Sequence, residues 1–305
     1  MTPSSLGLDE IGRRLRGAGF AMRTGPFNFR IRSSIASVAS GLALLYDDYP
    51  LAGDDEFVDF EVHLERGAGV RRWIRPQVRF LYDGRSPFEP LPMGHAVPLM
   101  EWAMNWCISS QAHQYLILHA AVTERDGLAA ILAAPPGSGK STLCAGLISR
   151  GWRLLSDELA LISPKDGSIV PLCRPVSLKN QSLSVMRAFE PSAEFSDVTH
   201  DTIKGSVCHM KIPTRHLDRI EERARPGWVV FPKYVKDAPA RLTPRSRANS
   251  MLELGRNAFN YTLLGRTGFE TLADVITASE CHDFEYGSLD EAVRVFDALV
   301  EARRQ

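Results

Sequence analysis

No run of the sequence approaches the ~18 consecutive apolar residues that a membrane-spanning helix needs. Neither sign of charge is in excess: 36 basic and 36 acidic side chains cancel. That balance argues against a nucleic-acid or membrane footprint over the whole chain and leaves room for a local patch. Cysteine is scarce. Cys107, Cys144, Cys173, Cys208 and Cys281 are an odd count, far apart and without a C-x-x-C pair. Zinc-type spacing is therefore absent, and a disulfide framework is not expected in a chain of 305 residues. The cysteines read as buried thiols in a reducing cytoplasm. The N-terminal stretch mixes acids with arginines around no apolar centre, unlike a secretory signal. These absences predict a cytoplasmic protein with neither nucleic acid nor membrane as partner. What is present is ordinary for a globular chain, 44% hydrophobic and 24% charged. The length suits about two domains or one large α/β unit.

The first hundred or so residues alternate as half-buried strands do. Phe27, Phe29 and Ile31 oppose Asn28, Arg30 and Arg32; Val58, Phe60, Val62 and Leu64 oppose Asp59, Glu61, His63 and Glu65. Val78, Phe80 and Tyr82 lead into an Asp83-Gly84 turn, and the apolar stretch from Ile35 to Tyr46 reads as a helix crossing the sheet. The expectation is an antiparallel α+β module spanning 1–112, for recognition or packing, with His63 solvated on the polar face. A helix over Ala96–Ser110, with Leu99, Trp102, Ala103 and Trp106 in one stripe, closes it.

From Tyr115 the chain changes character. Tyr115–His119 reads as a strand and Asp126-Gly127 as a turn. Leu128–Ala133 is then a short apolar run of the kind buried on both faces. It leads straight into Ala134-Pro135-Pro136-Gly137-Ser138-Gly139-Lys140-Ser141-Thr142, followed by a helix that Gly151 stops. A triphosphate is a chain of oxyanions, and a helix N-terminus offers unpaired N–H donors at a positive dipole end. Glycines let the backbone wrap closely, a lysine neutralises the β and γ oxygens, and the next hydroxyl ligates magnesium. Pro136, Gly137, Ser138, Gly139, Lys140, Ser141 and Thr142 are thus the expected nucleotide-binding set, with ATP and Mg2+ as cofactors. The core pattern G-x-G-K-[ST] arises by chance roughly 0.01 times in a chain this long. The full pattern's first glycine would fall at 134, where alanine stands.

Arg153–Ile162 reads as an apolar strand interrupted by Asp157 and Glu158. Neighbouring strand residues point to opposite faces, so the two acids share a site only across a bend or bulge. One is suited to holding magnesium or taking a proton from an attacking hydroxyl, the other to a second element or a basic partner. No run of four apolar residues and Asp follows downstream, and the guanine-reading N-K-x-D is absent.

Leu118-His119, the Asp126-Gly127 turn, the loop and Arg150-Gly151-Trp152-Arg153-Leu154-Leu155-Ser156-Asp157-Glu158 together resemble the catalytic domain of the HPr serine kinase/phosphorylase family. There a His-Gly ends the first strand, a G-x-S-G-x-G-K-S loop follows, and R-G-H-R-L-V-x-D-D carries the acids. His119 matches the family's histidine and Asp157 its first aspartate. Glu158 stands for the second aspartate, and Ala120 for the glycine after the histidine. The stretches Arg174–Asn180 and Lys204–His209 are similar to the kinase A branch. The family's E-[IL]-R-G-L-G signature is absent. The resemblance implies a mixed-sheet P-loop kinase domain of the HPr kinase and phosphoenolpyruvate carboxykinase type over 113–305, and relatives that are hexameric imply a homo-oligomer.

The expected chemistry is γ-phosphoryl transfer to a hydroxyl, serine of a protein or peptide first and a small molecule second, with a non-catalytic nucleotide-binding scaffold as the other class. Asp157, His119 and Glu158 are the candidate catalytic residues. Ser141 and Asp157 are the candidate magnesium ligands, and Arg174, Lys179 and Lys204 the candidate phosphate or substrate clamps. Toward the C-terminus, Arg241–Leu254 holds Pro244 and then a helical run. Ser288-Leu289-Asp290-Glu291 reads as a capping box opening a last helix that ends in Arg303-Arg304-Gln305.

Overall fold

Residues 2–53 and 55–304 are described by a computed structural model. Met1 and Gln305, the outer ends of the two expected modules, and Asp54 lie outside the described residues. Helix α1 (Leu8–Arg16) leads into a hairpin of β1 (Phe20–Thr24) and β2 (Phe27–Ser33). Phe27, Phe29 and Ile31 are buried on one face of β2, as the alternation predicts. The hairpin turn places Gly25 at φ +56, where a Cβ would lie 2.2 Å from the Pro171 carbonyl oxygen. Only glycine lets this turn touch the second half of the chain.

Helix α2 (Ala36–Leu45) crosses to β3 (Phe60–Arg66), which begins at Phe60 rather than Val58. Because the helix carries the chain back to the end from which β2 set out, β2 and β3 pair in parallel, Phe29 opposite Phe60 and Ile31 opposite Val62. The expected antiparallel module is therefore a mixed sheet. Alternation reports one buried face and is silent on strand direction. Strands β4 (Gln77–Leu81) and β5 (Leu91–Pro92) add antiparallel pairs and complete the order β1-β2-β3-β4-β5. Helix α3 (Ala96–Gln111) packs on β3 and β4 and buries Leu99, Met100, Ala103, Met104 and Cys107. The tryptophans of its expected stripe, Trp102 and Trp106, are only partly buried.

Three further sheets follow among the described residues. Strand β6 (Leu116–His119) precedes the hairpin β7 (Ala121–Arg125) and β8 (Leu128–Leu132), closed by Asp126 and Gly127 at φ 55 and 78. That turn hand matches the strand twist. Helix α4 (Lys140–Ser149) follows. The stretch Arg153–Ile162, expected as one strand, divides into β9 (Arg153–Ser156) and β10 (Leu159–Ile162) with Asp157-Glu158 at the bend. Ser156 Oγ holds the corner, donating to Leu159 O at 2.8 Å and accepting from Leu159 N at 3.1 Å.

Strand β10 pairs with β6 and with β11 (Ile169–Val170) in a sheet of its own. Next come β12 (Val176–Lys179), α5 (Gln181–Phe189), β13 (Thr199–Thr202), β14 (Gly205–Met210) and α6 (Thr214–Leu217). Strand β15 (Arg225–Tyr234) runs through Pro232 and Lys233. The chain then continues as β16 (Arg241–Pro244), α7 (Arg247–Arg256), α8 (Tyr261–Leu264), α9 (Arg266–Ala278), β17 (Glu280–Tyr286) and α10 (Leu289–Arg304). The other two sheets have the orders β12-β14-β13 and β16-β17-β15-β8-β7-β9, with β8, β15 and β17 mutually parallel. At the start of α10 the expected capping box is not closed. The Glu291 carboxylate instead accepts from Ala240 N at 3.0 Å.

One buried apolar cluster runs from Ile11 in α1 through Met104 in α3 and Leu143 in α4 to Phe296 in α10, so the two parts of the chain share a core. The five cysteines are free and buried. No helix of the described residues is long and apolar enough to cross a membrane.

Across the junction Arg174 is buried against α3. Its Nη2 donates to Glu101 Oε2 at 2.5 Å and to Glu101 O at 3.0 Å, while Tyr46 Oη donates to Glu101 Oε1 at 2.7 Å. Removing one partner of a buried pair strands the other charge. Glu101→Ala is therefore expected to lower unfolding stability by roughly 3–5 kcal/mol, and Tyr46→Phe by about 1 kcal/mol, in urea denaturation. Equal losses in the two variants would contradict a buried, unshared Arg174 charge.

Candidate active site

Strand β8 ends where Ala133 N donates to Val230 O at 3.0 Å, and the chain turns through Ala134–Gly139 into α4. Gly137 and Gly139 hold φ of +86 and +91, backbone that L side chains avoid. At Gly139 a Cβ would also stand 2.5 Å from Tyr286 Oη. That hydroxyl donates to Gly139 O at 2.9 Å, and Tyr234 N donates to Ser138 O at 2.9 Å, so β17 and β15 pin the loop from below. Pro136 and Gly137 are exposed, and Ser138 and Ser141 partly so. Thr142 Oγ1 is turned away to Ser182 Oγ on α5, at 2.7 Å.

Lys140 is buried, and its Nζ has no hydrogen-bond partner. Burial pulls the ammonium below its ordinary pKa, while the charges of Asp157 and Glu158 pull it back up. Asp157, also buried, accepts from Ser177 N through Oδ2 at 3.0 Å and leaves Oδ1 without a partner. Burial pushes its carboxyl up to about 6, with the Glu158 charge adding and the Lys140 charge opposing. Burial works against the charge of Glu158 too, but Lys204, Lys179, Lys140 and Arg174 together hold its carboxyl below the ordinary value.

The bend between β9 and β10 is what brings both acids to one place. Both line a cavity whose walls include Trp102 and Asn105 of α3, Ser177 of β12 and His209 of β14. Asn105 Nδ2 donates to Glu158 Oε2, and Lys179 Nζ lies 3.7 Å from Glu158 Oε1. His119 ends β6 opposite Leu159, next in chain to Glu158. Its ring is held down to about 4 by burial and by Lys140, hence neutral near pH 7.

Of the three expected clamps, two border the acids without being tied up in the core. Lys179 faces Glu158, and the exposed Lys204 sets its ammonium 5.1 Å from the Trp102 ring centre. Arg174 is corrected: its guanidinium is held by Glu101 and Asn105 in the interior, which leaves it an internal tie and no phosphate clamp.

Asn105, Trp102, Ser177, His209 and the two tyrosines under the loop escaped sequence reasoning. One signal for the first did exist. Glu101 and Asn105 are the two polar residues, at i and i+4, of the otherwise apolar stretch Ala96–Ile108 of the helix, a spacing that places both on one face. Ser177 and His209 fall inside the two stretches similar to the kinase A branch, which is their signal, whereas the tyrosines come from distant strands and carry no spacing.

Magnesium would find hard oxygens here, the partnerless Asp157 Oδ1 and the Ser141 hydroxyl. Among the described residues no three His, Cys, Asp or Glu side chains gather as a ligand set. Two protein oxygens completed by phosphate oxygens and waters suit this ion, which keeps much of its hydration.

A carboxyl whose folded pKa is raised stabilises the fold while protonated. Stability from Asp157 is present below 3.8, its unfolded value, and is lost as pH rises through about 6. Asp157→Asn mimics the protonated form and keeps an acceptor for Ser177 N. In nucleotide-free protein it should match the wild type near about pH 4 and exceed it by up to about 3 kcal/mol near about pH 8. Urea denaturation at both pH values checks this, and an equal difference at the two would refute it.

Among known proteins, a family model described as "ScmC: SynChlorMet cassette protein ScmC" matches residues 95–172, from the start of α3 through the loop and the acids to just past β11. No curated protein matches. Of solved structures, the HPr(Ser) kinase/phosphatase from Coxiella burnetii is similar at 13% identity and a TM-score of 0.28, over 62% of this chain and 95% of that one. The matching family is thus ScmC over part of the chain, whereas the motif resemblance was to the HPr serine kinases.

Proposed function

We propose that the protein is an ATP-dependent kinase transferring the γ-phosphoryl group to a hydroxyl, that of serine in a protein or peptide. One observation carries the reading. Lys140 Nζ and Asp157 Oδ1, opposite charges at the mouth of a glycine loop, are both buried and both without a hydrogen-bond partner. Such groups are costly to leave unmatched, and a triphosphate with its magnesium would match both.

Phosphoryl transfer asks for positioning and charge neutralisation more than for covalent help. The loop N–H groups and Lys140 would hold the β and γ oxygens. Magnesium, held by Ser141 and Asp157, would neutralise charge developing between the β- and γ-phosphates. The acceptor oxygen attacks Pγ, the bond from Pγ to the β–γ bridging oxygen breaks, and ADP leaves. The hydroxyl proton would pass to the Asp157 carboxylate; in the nucleotide-free protein burial lifts this carboxyl to about 6, and a magnesium ion bound to it would lower that value. Glu158 stays ionised, and its charge is part of what lifts Asp157. Neutral His119 serves to orient the acceptor.

A small-molecule hydroxyl acceptor is the second reading. The cavity beside the acids, walled by α3, measures about 20 Å³, room for roughly one water, so either acceptor would approach the acids from outside it.

Radiolabelled ATP with magnesium, seryl peptides and small hydroxy compounds tests the proposal. The wild type should label one acceptor class. Asp157→Asn should lose about 10²–10⁴-fold in kcat while still binding ATP, and Lys140→Ala should lose ATP binding. Unchanged transfer by Asp157→Asn would overturn the mechanism. ATP binding with no labelled product would leave a nucleotide-binding scaffold.

A further inference from the structure

Helix α3 belongs to the N-terminal part of the chain, yet its polar face reaches the acids. Asn105 is bound at both ends. Its Oδ1 accepts from Arg174 Nη1 at 2.5 Å, and its Nδ2 donates to Glu158 Oε2. A guanidinium can only donate and an ionised carboxylate can only accept, so the amide has one allowed orientation. Arg174 is itself immobilised by Glu101 and, at 3.5 Å, by Tyr46 Oη, all three buried. The fixed end of this chain lies in the shared core and the free end at the site. Glu158 Oε1, the other oxygen, faces Lys179 at 3.7 Å. Without the amide, the carboxylate would be free to swing toward Lys179.

We infer that Asn105 is a positioning residue that holds the Glu158 carboxylate beside Asp157, so that the N-terminal part of the chain completes the active site. The inference rests on the kinase reading above for its catalytic consequence, but its structural content stands on the Arg174–Asn105–Glu158 chain alone. It gives the N-terminal part a role that needs no separate recognition event: α3 sets the geometry of the acid pair. Trp102, a turn earlier on the same helix, carries Lys204 on its ring face, so the same helix also borders the basic side of the site.

The test is a double-mutant cycle. Asn105→Asp keeps the acceptor for Arg174 and the side-chain size but cannot donate to an ionised Glu158. Asn105→Ala removes both bonds. Each is expected to lower kcat about 10–100-fold, the scale of a mispositioned catalytic group, with KM for ATP and the melting temperature close to wild type for Asn105→Asp. In a Glu158→Gln background the same substitutions should change kcat less than about twofold, because a residue acting through another does not add to its loss. Losses that multiply in the two backgrounds, or an unchanged kcat in Asn105→Asp, would overturn the inference. If the wild type transfers no phosphoryl group, the kinase reading fails by itself. The crystal structure of Asn105→Asp then decides the positioning claim, which stands if the Glu158 carboxylate has left its place beside residue 105 and falls if it has not moved.

Discussion

Two opposite charges lie inside an apolar frame, and the surrounding structure holds them there with a polar atom of each unmatched. Lys140 opens α4 and Asp157 stands at the bend just after β9, both buried. An unmatched polar group in such surroundings costs on the order of several kcal/mol. The frame that tolerates this is built from β8, buried along most of its length, and from the apolar cluster beneath α4. The loop cannot relax to bring Lys140 a partner, because Tyr286 Oη and Tyr234 N hold its carbonyls from below. Asp157 cannot turn away, because Ser177 N holds its second oxygen.

The bend at Asp157-Glu158 follows from the same constraint. A straight strand would send one acid into the site and the other to the opposite face. Dividing the stretch between two sheets, with Ser156 Oγ bonded across the corner, lets both line one cavity. The pair then acts on itself: the ionised Glu158 raises Asp157, while a ring of lysines keeps Glu158 charged. The N-terminal part enters through α3, whose buried Glu101 captures Arg174 and whose Asn105 reaches Glu158. A guanidinium that resembles a phosphate clamp in the sequence is thereby consumed as a tie between the two halves.

Much of the local structure is legible in the sequence. The run Leu128–Ala133, the glycines at 137 and 139 and the following stretch that Gly151 stops announce strand, turn and helix, because each is set by its own residues. The Asp126-Gly127 and Asp83-Gly84 turns are legible for the same reason, both pairs standing at positive φ. Strand direction was not: β2 and β3 carry the alternation of antiparallel neighbours and pair in parallel, since the crossing helix decides direction. The capping box at Ser288 was legible as a helix start, but Glu291 found the Ala240 N–H instead.

The sequence by itself determined the phosphate-loop-like turn, the adjacency of two acids and the apolar stripes of strands and helices, because these depend on neighbours within a few residues. Only the tertiary structure decided which side chains surround the acids. Asn105 and Trp102 arrive from α3, Ser177 and His209 from β12 and β14, and Tyr234 and Tyr286 from β15 and β17. Those meetings are set by how sheets and helix pack around a shared core, and no spacing along the chain records them. The sparse cysteines behave the same way: their number and separation argue against a framework of bridges, and the fold alone leaves each thiol free and out of solvent.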